Sequence, residues 1–197
     1  DFVAQNGEFT ASANEMLELA VAADAADCDA LLAVKNSEGH TVEELVTEKS
    51  GQTGEKCELA YYARVEAPYI NAYVHFNKKL GTLLGFNKEV DVEVAHKIAM
   101  QATAMAPISI DVDDCPTEIV EKEKAFAVEQ MKQDPKNANK PEAILEKIAE
   151  GKLRKFFEEN TLLNQAVVGE KESIREMLAR ADKEATVIAY KRFALEA

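Results

Sequence analysis

The spacing of hydrophobic residues changes twice along this chain, and each change predicts a different kind of secondary structure. In the first third, apolar residues recur at the three- and four-residue spacing of one helical face, namely Phe9, Ala13, Met16, Leu17 and Ala20. Residues 59–86 are instead rich in Tyr, Val, Ile and Leu, which favours strands. Helical spacing returns after Pro116, in a highly charged stretch. The sequence therefore predicts helices on both sides of a sheet-forming segment.

Three short runs of strand-forming residues, with brief breaks between them, predict an antiparallel meander. The runs are Leu59–Val65, Tyr69–Phe76 and Leu80–Phe86. Two further short strands are expected over Ile108–Val112 and Thr186–Phe193.

Short polar residues mark the starts of several predicted helices. Thr41 with Glu44, and Ser173 with Glu176, have the spacing of a capping box, in which side chain and backbone satisfy each other's hydrogen bonds. Asp91 can cap a further helix that lies between them.

Two long helices after Pro116 are expected to form an antiparallel hairpin over about residues 116–160. They run from about Thr117 to Gln133 and from about Pro141 to Glu159. Their apolar stripes are narrow, which is more typical of a protruding arm than of a core helix.

The grouping of strands apart from helices predicts an α+β fold. We expect two small subdomains, residues 1–88 and 89–197, each with an antiparallel sheet packed by helices. The boundary would fall near Asn87-Lys88, and the second subdomain would carry the helical hairpin.

The charge of the chain argues against several classes of partner. Its 36 acidic and 23 basic residues give a formal net charge of −13. A field of that sign repels phosphate backbones and anionic lipid, so we expect no direct binding to nucleic acid or to a membrane surface. The longest uncharged stretch, near Ile98–Ile110, is too short and too polar to span a bilayer. Three widely spaced cysteines argue against a disulfide framework and a zinc site, and favour a reducing cytoplasm.

The sequence offers little that is typical of an enzyme. It contains no His-Glu-x-x-His, no Gly-x-Ser-x-Gly and no phosphate-binding glycine loop. Cys57 and His75 could meet across neighbouring strands as nucleophile and base, although free cysteines more often pack as small hydrophobic residues. Asp111, Asp113 and Asp114 resemble half of a cation site but lack the glycine and the distal glutamate of a calcium loop. We therefore expect no bond-making chemistry, no metal site and no cofactor.

The chain opens with a large aromatic residue beside a carboxylate, in Asp1-Phe2-Val3-Ala4. Composition alone favours packing of Phe2 on the first helix. Because there is no initiator methionine and no signal-like segment, we expect a processed or truncated piece of a longer protein.

Short segments of the first half match, in order, the motifs of one known family. Asp1-Phe2-Val3-Ala4-Gln5-Asn6 is similar to the end of its Thr-Asp-Phe-Val signature. Ala72-Tyr73-Val74-His75, followed by Lys79-Leu80-Gly81, is similar to its Tyr-Ile-His strand and Arg-Ile-Gly turn. Lys97-Ile98-Ala99-Met100-Gln101-Ala102 is similar to a helix with a His-Ile-Ala-Met core.

The second half continues the match. Glu118–Lys124 and Glu146–Leu153 are similar to the two sides of that family's coiled-coil hairpin. Thr161-Leu162-Leu163-Asn164-Gln165 is similar to the segment that leaves the hairpin. Over its whole length, the chain resembles the core, or dimerisation region, of bacterial elongation factor Ts.

Three departures from the family pattern stand out. The threonine before Asp1 is absent, as is the small N-terminal helical domain that family members place upstream. The segment His75-Phe76-Asn77-Lys78-Lys79 replaces a glycine-rich turn with bulkier and basic residues. Gln101 stands where many members have a histidine that is thought to press on the partner's nucleotide-binding domain.

The resemblance implies a guanine-nucleotide exchange factor that promotes GDP release from elongation factor Tu during translation elongation. The implied partner is elongation factor Tu in its GDP-bound or nucleotide-free form. It implies that Asp1, Phe2 and Val3 enter the partner, displace its magnesium ion and disturb its phosphate-binding loop. Further partner contacts are implied for His75, Leu80, Gly81 and Gln101.

Two other functions stay open at this stage. The hairpin could serve as the coiled-coil arm of a scaffold or dimerisation module without exchange activity, and a homodimer could form through the hairpin or a sheet edge. A small thiol enzyme using Cys57 and His75 would instead show turnover that is sensitive to alkylation.

Overall fold

The strand-rich middle of the chain and a strand near residue 190 form one antiparallel sheet. The computed structural model describes residues 2–133 and 140–195. Within that part, β1 (Tyr69–Val74) pairs with β2 (Leu80–Phe86), which in turn pairs with β3 (Val187–Ala194). The strand order is β1-β2-β3. Together with the helices described below, this sheet confirms the α+β class and the strand predicted near the end of the chain.

One face of this sheet is buried by helix α5 (Val92–Met105). The helix begins where the sequence predicts, because the Asp91 carboxylate accepts hydrogen bonds from the backbone N–H groups of Glu93 and Val94. Alternate residues of β2 join the apolar stripe of α5 in the main core, which also receives residues from the last third of the chain. Its largest fully buried side chains include Leu84, Phe86, Ile98, Leu162, Ile174 and Leu178.

Four helices lie in the described chain up to Arg64. They are α1 (Phe2–Gln5), α2 (Gly7–Ala22), α3 (Cys28–Leu32) and α4 (Val42–Thr53). The capping box predicted at Thr41 and Glu44 is confirmed, since each backbone N–H donates to the other residue's side chain. A small core holds these helices together, with Ala20, Ala25, Leu31 and Val42 fully buried.

The strand predicted over Leu59–Val65 is wrong. These residues have no regular secondary structure. The Tyr62 hydroxyl donates to the carbonyl oxygen of Ala25 at 2.9 Å, and the Cys28 thiol donates to that of Leu59 at 3.2 Å. The side chains of Leu59 and Tyr62 pack on the small helical core. The apolar residues of this segment therefore cover helices and do not build a third meander strand.

The strand predicted over Ile108–Val112 is also wrong. Ser109 makes an isolated parallel bridge to Thr161, and the backbone N–H of Leu162 donates to the carbonyl oxygen of Ser109 at 2.9 Å. The neighbouring chain is a single 3-10 turn, Leu162–Asn164. A 3-10 turn presents no continuous row of backbone groups, so a regular ladder cannot extend along it.

The predicted helical hairpin is confirmed by α6 (Thr117–Gln133) and α7 (Glu142–Asn160). The two helices share a small core of their own, and Lys152 Nζ donates to Gln130 Oε1 at 3.0 Å between them. Their connection at residues 134–139 lies outside the described part of the chain. The buried side chains of this core are Ala127, Met131 and Ala149. Helix α8 (Ile174–Ala181) follows, with the predicted capping box at its start.

By its contacts the chain divides at Arg64 into two compact units, residues 1–64 and 65–197. The domain boundary expected near residue 88 stays a prediction. The compact units do not divide at residue 88, because β2 lies before it, β3 lies after it, and these two strands pair with each other. Among the helices of the described ranges, none combines the length and the apolar character that crossing a membrane requires.

Candidate functional site

Three of the residues implied in partner binding, His75, Leu80 and Gly81, meet at the turn between β1 and β2. The backbone N–H of His75 donates to the carbonyl oxygen of Leu80 at 2.8 Å. The backbone N–H of Lys78 donates to the carbonyl oxygen of His75, also at 2.8 Å. The Asn77 side chain accepts from the backbone N–H of Lys79 at 2.9 Å. These bonds fix the backbone of residues 75–80, which we call the hairpin tip.

Aromatic rings order the side chains at the hairpin tip. The Tyr73 hydroxyl and His75 Nδ1 are hydrogen-bonded at 2.9 Å. The ring of His75 lies 4.4 Å from that of Phe76, between centroids, and the ring of His96 meets Tyr73 edge-on at 5.4 Å. Phe76 itself is 88% exposed. Sequence reasoning noted Phe76 only as part of a bulky turn and did not single it out as a site residue.

The glycine at position 81 is not required by packing inside the sheet. A Cβ atom added there would lie 3.5 Å from the carbonyl oxygen of Tyr73, an ordinary contact. At Gly85 an added Cβ would lie only 2.7 Å from the Cβ of Ala67. The sheet therefore explains the glycine at 85, whereas the glycine at 81 could carry a Cβ atom without a clash.

Gln101 lies inside its unit, on the buried face of α5, and its side chain is only 6% exposed. Its Nε2 donates to the carbonyl oxygen of Ala166 at 3.0 Å, and its Oε1 accepts from the backbone N–H of Val168 at 3.0 Å. Both ends of the amide are thus used in hydrogen bonds within its own unit. Its spacing of three residues from the core residue Ile98 is the sequence signal that indicates burial.

The N-terminal residues stand directly before a capped helix. The Asn6 side chain accepts from the backbone N–H of Glu8 at 2.8 Å, which fixes the start of α2. The carbonyl oxygen of Val3, in α1, accepts from the backbone N–H of Asn6 at 3.0 Å. Asp1 and the side chain of Phe2 lie outside the described part of the chain.

The thiol–imidazole pair is not assembled within either unit. Cys57 belongs to the first unit, where its sulfur lies 3.7 Å from the Thr53 hydroxyl oxygen. His75 belongs to the second unit and is hydrogen-bonded to Tyr73.

The acidic loop that resembles half of a cation site has a different role. The Asp111 carboxylate is bonded by the guanidinium of Arg175 and accepts from Asn164 Nδ2 at 2.9 Å. Burial alone would raise the pKa of Asp111, but these bonds and that of the Val112 N–H outweigh it and hold the pKa below its usual value. Across the described ranges, no three His, Cys, Asp or Glu side chains are grouped so that they could hold a metal ion. Asp111 therefore fastens its loop to α8.

Comparison with known proteins gives a consistent result. The family described as Elongation factor TS matches residues 1–197. Elongation factor Ts of Porphyromonas gingivalis is 36% identical over 198 residues, covering 100% of this chain and 71% of that protein. Elongation factor Ts of Bacteroides thetaiotaomicron is 35% identical over 251 residues, covering 100% and 76%. Elongation factor Ts of Azobacteroides pseudotrichonymphae is 42% identical over 160 residues, covering 80% and 57%.

Proposed function

The chain belongs to the elongation factor Ts family, and from this premise we propose that it promotes the release of GDP from elongation factor Tu. The observation that carries the proposal is the family match over all residues 1–197. The motifs at the N-terminus, the hairpin tip and the helical hairpin all fall within that match.

The proposed action follows from thermodynamic linkage. A protein that binds the nucleotide-free partner more tightly than the GDP-bound partner must weaken GDP binding by the same factor. Such coupling requires contacts that differ between the two states of the partner. It requires no bond to be made or broken in either protein, so an exchange factor needs no catalytic acid, base or nucleophile.

We assign the main coupling contact to Asp1, Phe2 and Val3. The aromatic ring of Phe2 would enter the partner beside its magnesium ion, and Asp1 would compete with the groups that order that ion. A bound divalent cation is often the largest local charge in a phosphate site, so its loss weakens the hold on the diphosphate and disturbs the phosphate-binding loop. The capped start of α2 supports this assignment, because it gives the preceding residues a rigid base.

We assign a second contact to the hairpin tip, with His75, Leu80 and Gly81 facing the partner. Their convergence on one hydrogen-bonded turn supports this assignment. For Gln101 we propose an indirect role through the position of α5, because its side chain is buried and hydrogen-bonded within its own unit.

A scaffold or dimerisation role is the second candidate, and the separate core of the α6–α7 hairpin favours it. In that case the chain would bind elongation factor Tu, or a second copy of itself, without changing nucleotide release. Self-association through the α6–α7 hairpin or through an edge of the sheet is part of this proposal.

Stopped-flow release of a fluorescent GDP analogue from purified elongation factor Tu separates the two functions. Release that accelerates with increasing concentration of this chain supports exchange. Co-purification with elongation factor Tu without any acceleration supports the scaffold role and contradicts exchange. Alkylation with iodoacetamide provides a control for the thiol-enzyme alternative, because exchange should not depend on a thiolate.

A further inference from the structure

We propose that Phe76 is a specificity-determining anchor that inserts into an apolar pocket bordered by carboxylates on elongation factor Tu. This inference rests on the proposed function and specifies the chemistry of the surface that the hairpin tip recognises. It concerns the residues at which this chain departs from the glycine-rich turn of its family.

The first support is the exposure of an apolar surface that the fold does not need. Phe76 is 88% exposed and Val74, two residues earlier, is 67% exposed. Val74 is the last residue of β1, and Phe76 lies in the turn that the Lys78 N–H closes on the carbonyl oxygen of His75. Two exposed apolar side chains therefore lie two residues apart where β1 ends. A turn can be closed by small polar residues or glycine, and a large ring in water therefore points to binding more than to folding.

The second support is that the ring is held in place before any partner arrives. The Phe76 ring contacts the His75 ring at 4.4 Å, and His75 is itself hydrogen-bonded to the Tyr73 hydroxyl at 2.9 Å. Tyr73 lies in β1 and packs against the main core. This chain of contacts connects an exposed ring to the buried core, so Phe76 loses less freedom on binding than an isolated side chain would.

The third support is the local sign of charge. The chain as a whole carries a formal charge of −13, yet residues 67–87 contain lysines at 78 and 79 and no carboxylate. Strand β3 adds Lys191 and Arg192, again without a carboxylate. Opposite charges across an interface favour binding, so the pocket that accepts Phe76 is expected to have an acidic border.

The same charge argues against a second copy as the occupant. Two hairpin tips brought together would place Lys78 and Lys79 of both copies side by side, and like charges at short distance repel. The proposed partner of Phe76 is therefore an acidic, partly apolar surface of elongation factor Tu, and not a second copy of this chain.

The test compares Phe76→Ala with Val168→Ala, a matched control that truncates another exposed apolar residue, 66% exposed, in the same unit. Truncation of a buried interface anchor weakens binding by about tenfold or more. We expect that loss for Phe76→Ala in binding to elongation factor Tu, together with slower GDP release at sub-saturating concentration. Val168→Ala should retain wild-type values, and both variants should keep the wild-type circular dichroism.

A second pair of variants tests the acidic border. Lys78→Glu should slow association with elongation factor Tu about threefold to tenfold at low salt, and the difference should shrink as sodium chloride is added. Lys183→Glu makes the same change on an exposed lysine outside the sheet and should leave the association rate unchanged.

The outcomes distinguish this inference from the proposed function. If the wild-type chain does not accelerate GDP release, the proposed function and the inference both fail. If the wild-type chain accelerates release and Phe76→Ala matches Val168→Ala, only the inference is overturned. A change in the sedimentation of Phe76→Ala without weaker binding to elongation factor Tu would identify a second copy as the occupant and would also overturn it.

Discussion

The side chain of Gln101 and the backbone of Val168 are joined by a partly buried hydrogen bond of 3.0 Å, from the N–H of Val168 to Oε1 of Gln101. The other end of the amide donates to Gln165 Oε1 at 3.2 Å and to the carbonyl oxygen of Ala166 at 3.0 Å. The Gln101 side chain therefore bonds three residues of the turn that follows the 3-10 helix, Gln165, Ala166 and Val168.

Gln101→Leu should lower the free energy of unfolding by about 1–3 kcal/mol, because it leaves the partly buried N–H of Val168 and carbonyl oxygen of Ala166 without this partner. Urea denaturation followed by circular dichroism measures the loss. Gln52→Leu, on an exposed face of α4, is the control and should change the stability by less than about 0.5 kcal/mol. Equal stability of the two variants would contradict a structural role for Gln101.

Gly85→Ala should destabilise the sheet, since the added Cβ would lie 2.7 Å from the Cβ of Ala67 and 3.0 Å from that of Ala189. Overpacking of this kind costs about 1–3 kcal/mol. Gly81→Ala, in the same strand, meets nothing closer than 3.5 Å and should keep or slightly raise the stability. The urea concentration at the midpoint of unfolding, measured for each variant, compares their stabilities. A wild-type midpoint for Gly85→Ala would contradict the prediction and would show that the backbone can shift to admit the methyl group.

The Asp111–Arg175 pair should make stability depend on pH in the acid range. Because the folded-state pKa of Asp111 is lowered, the unfolded chain binds more protons than the folded one as the pH falls. The stabilisation is present above the unfolded pKa of about 4 and is lost as the pH falls through the lower folded value.

Asp111→Asn removes this titration, so its unfolding free energy should fall less steeply than that of the wild type below about pH 4. Arg175→Gln should remove much of the same dependence, and the double variant should add little to either single change. Urea unfolding at a series of acid pH values checks this, and parallel curves for wild type and Asp111→Asn would refute it.

Phe2→Ala should slow the GDP release that this chain stimulates by roughly thirtyfold to a thousandfold, the equivalent of about 2–4 kcal/mol for a buried aromatic anchor. Its fold should be intact. Val21→Ala, 75% exposed on α2, serves as the control in the same stopped-flow assay. An unchanged stimulated rate for Phe2→Ala would remove the N-terminal wedge from the proposed mechanism.

The local signals in the sequence predicted the helices well, because capping is decided within a few residues. Thr41 with Glu44, Ser173 with Glu176, and Asp91 all occupy the positions expected of them. The β1–β2 pairing is equally local, since a short turn joins its strands, and it places His75 beside Leu80.

What the sequence could not show depends on contacts between distant residues. The segment near Tyr62 has the composition of a strand, but its partner is the carbonyl oxygen of Ala25, in the helical part of the chain. The internal hydrogen bonds of Gln101 could not be foreseen either, because its polar partners lie more than sixty residues later, at Ala166 and Val168. Periodicity carries no information on such pairings.

Strand β3 completes the sheet from far along the chain, with Ala194 beside Leu80 and Val187 beside Phe86. During synthesis on the ribosome, β1 and β2 can pair with each other and pack against α5, but the second edge of β2 has no partner strand until residues 187–194 have emerged. The open edge of β2 is exposed to unwanted pairing throughout that interval. The nascent chain should therefore depend on chaperones, or on rapid elongation, until its last strand is available.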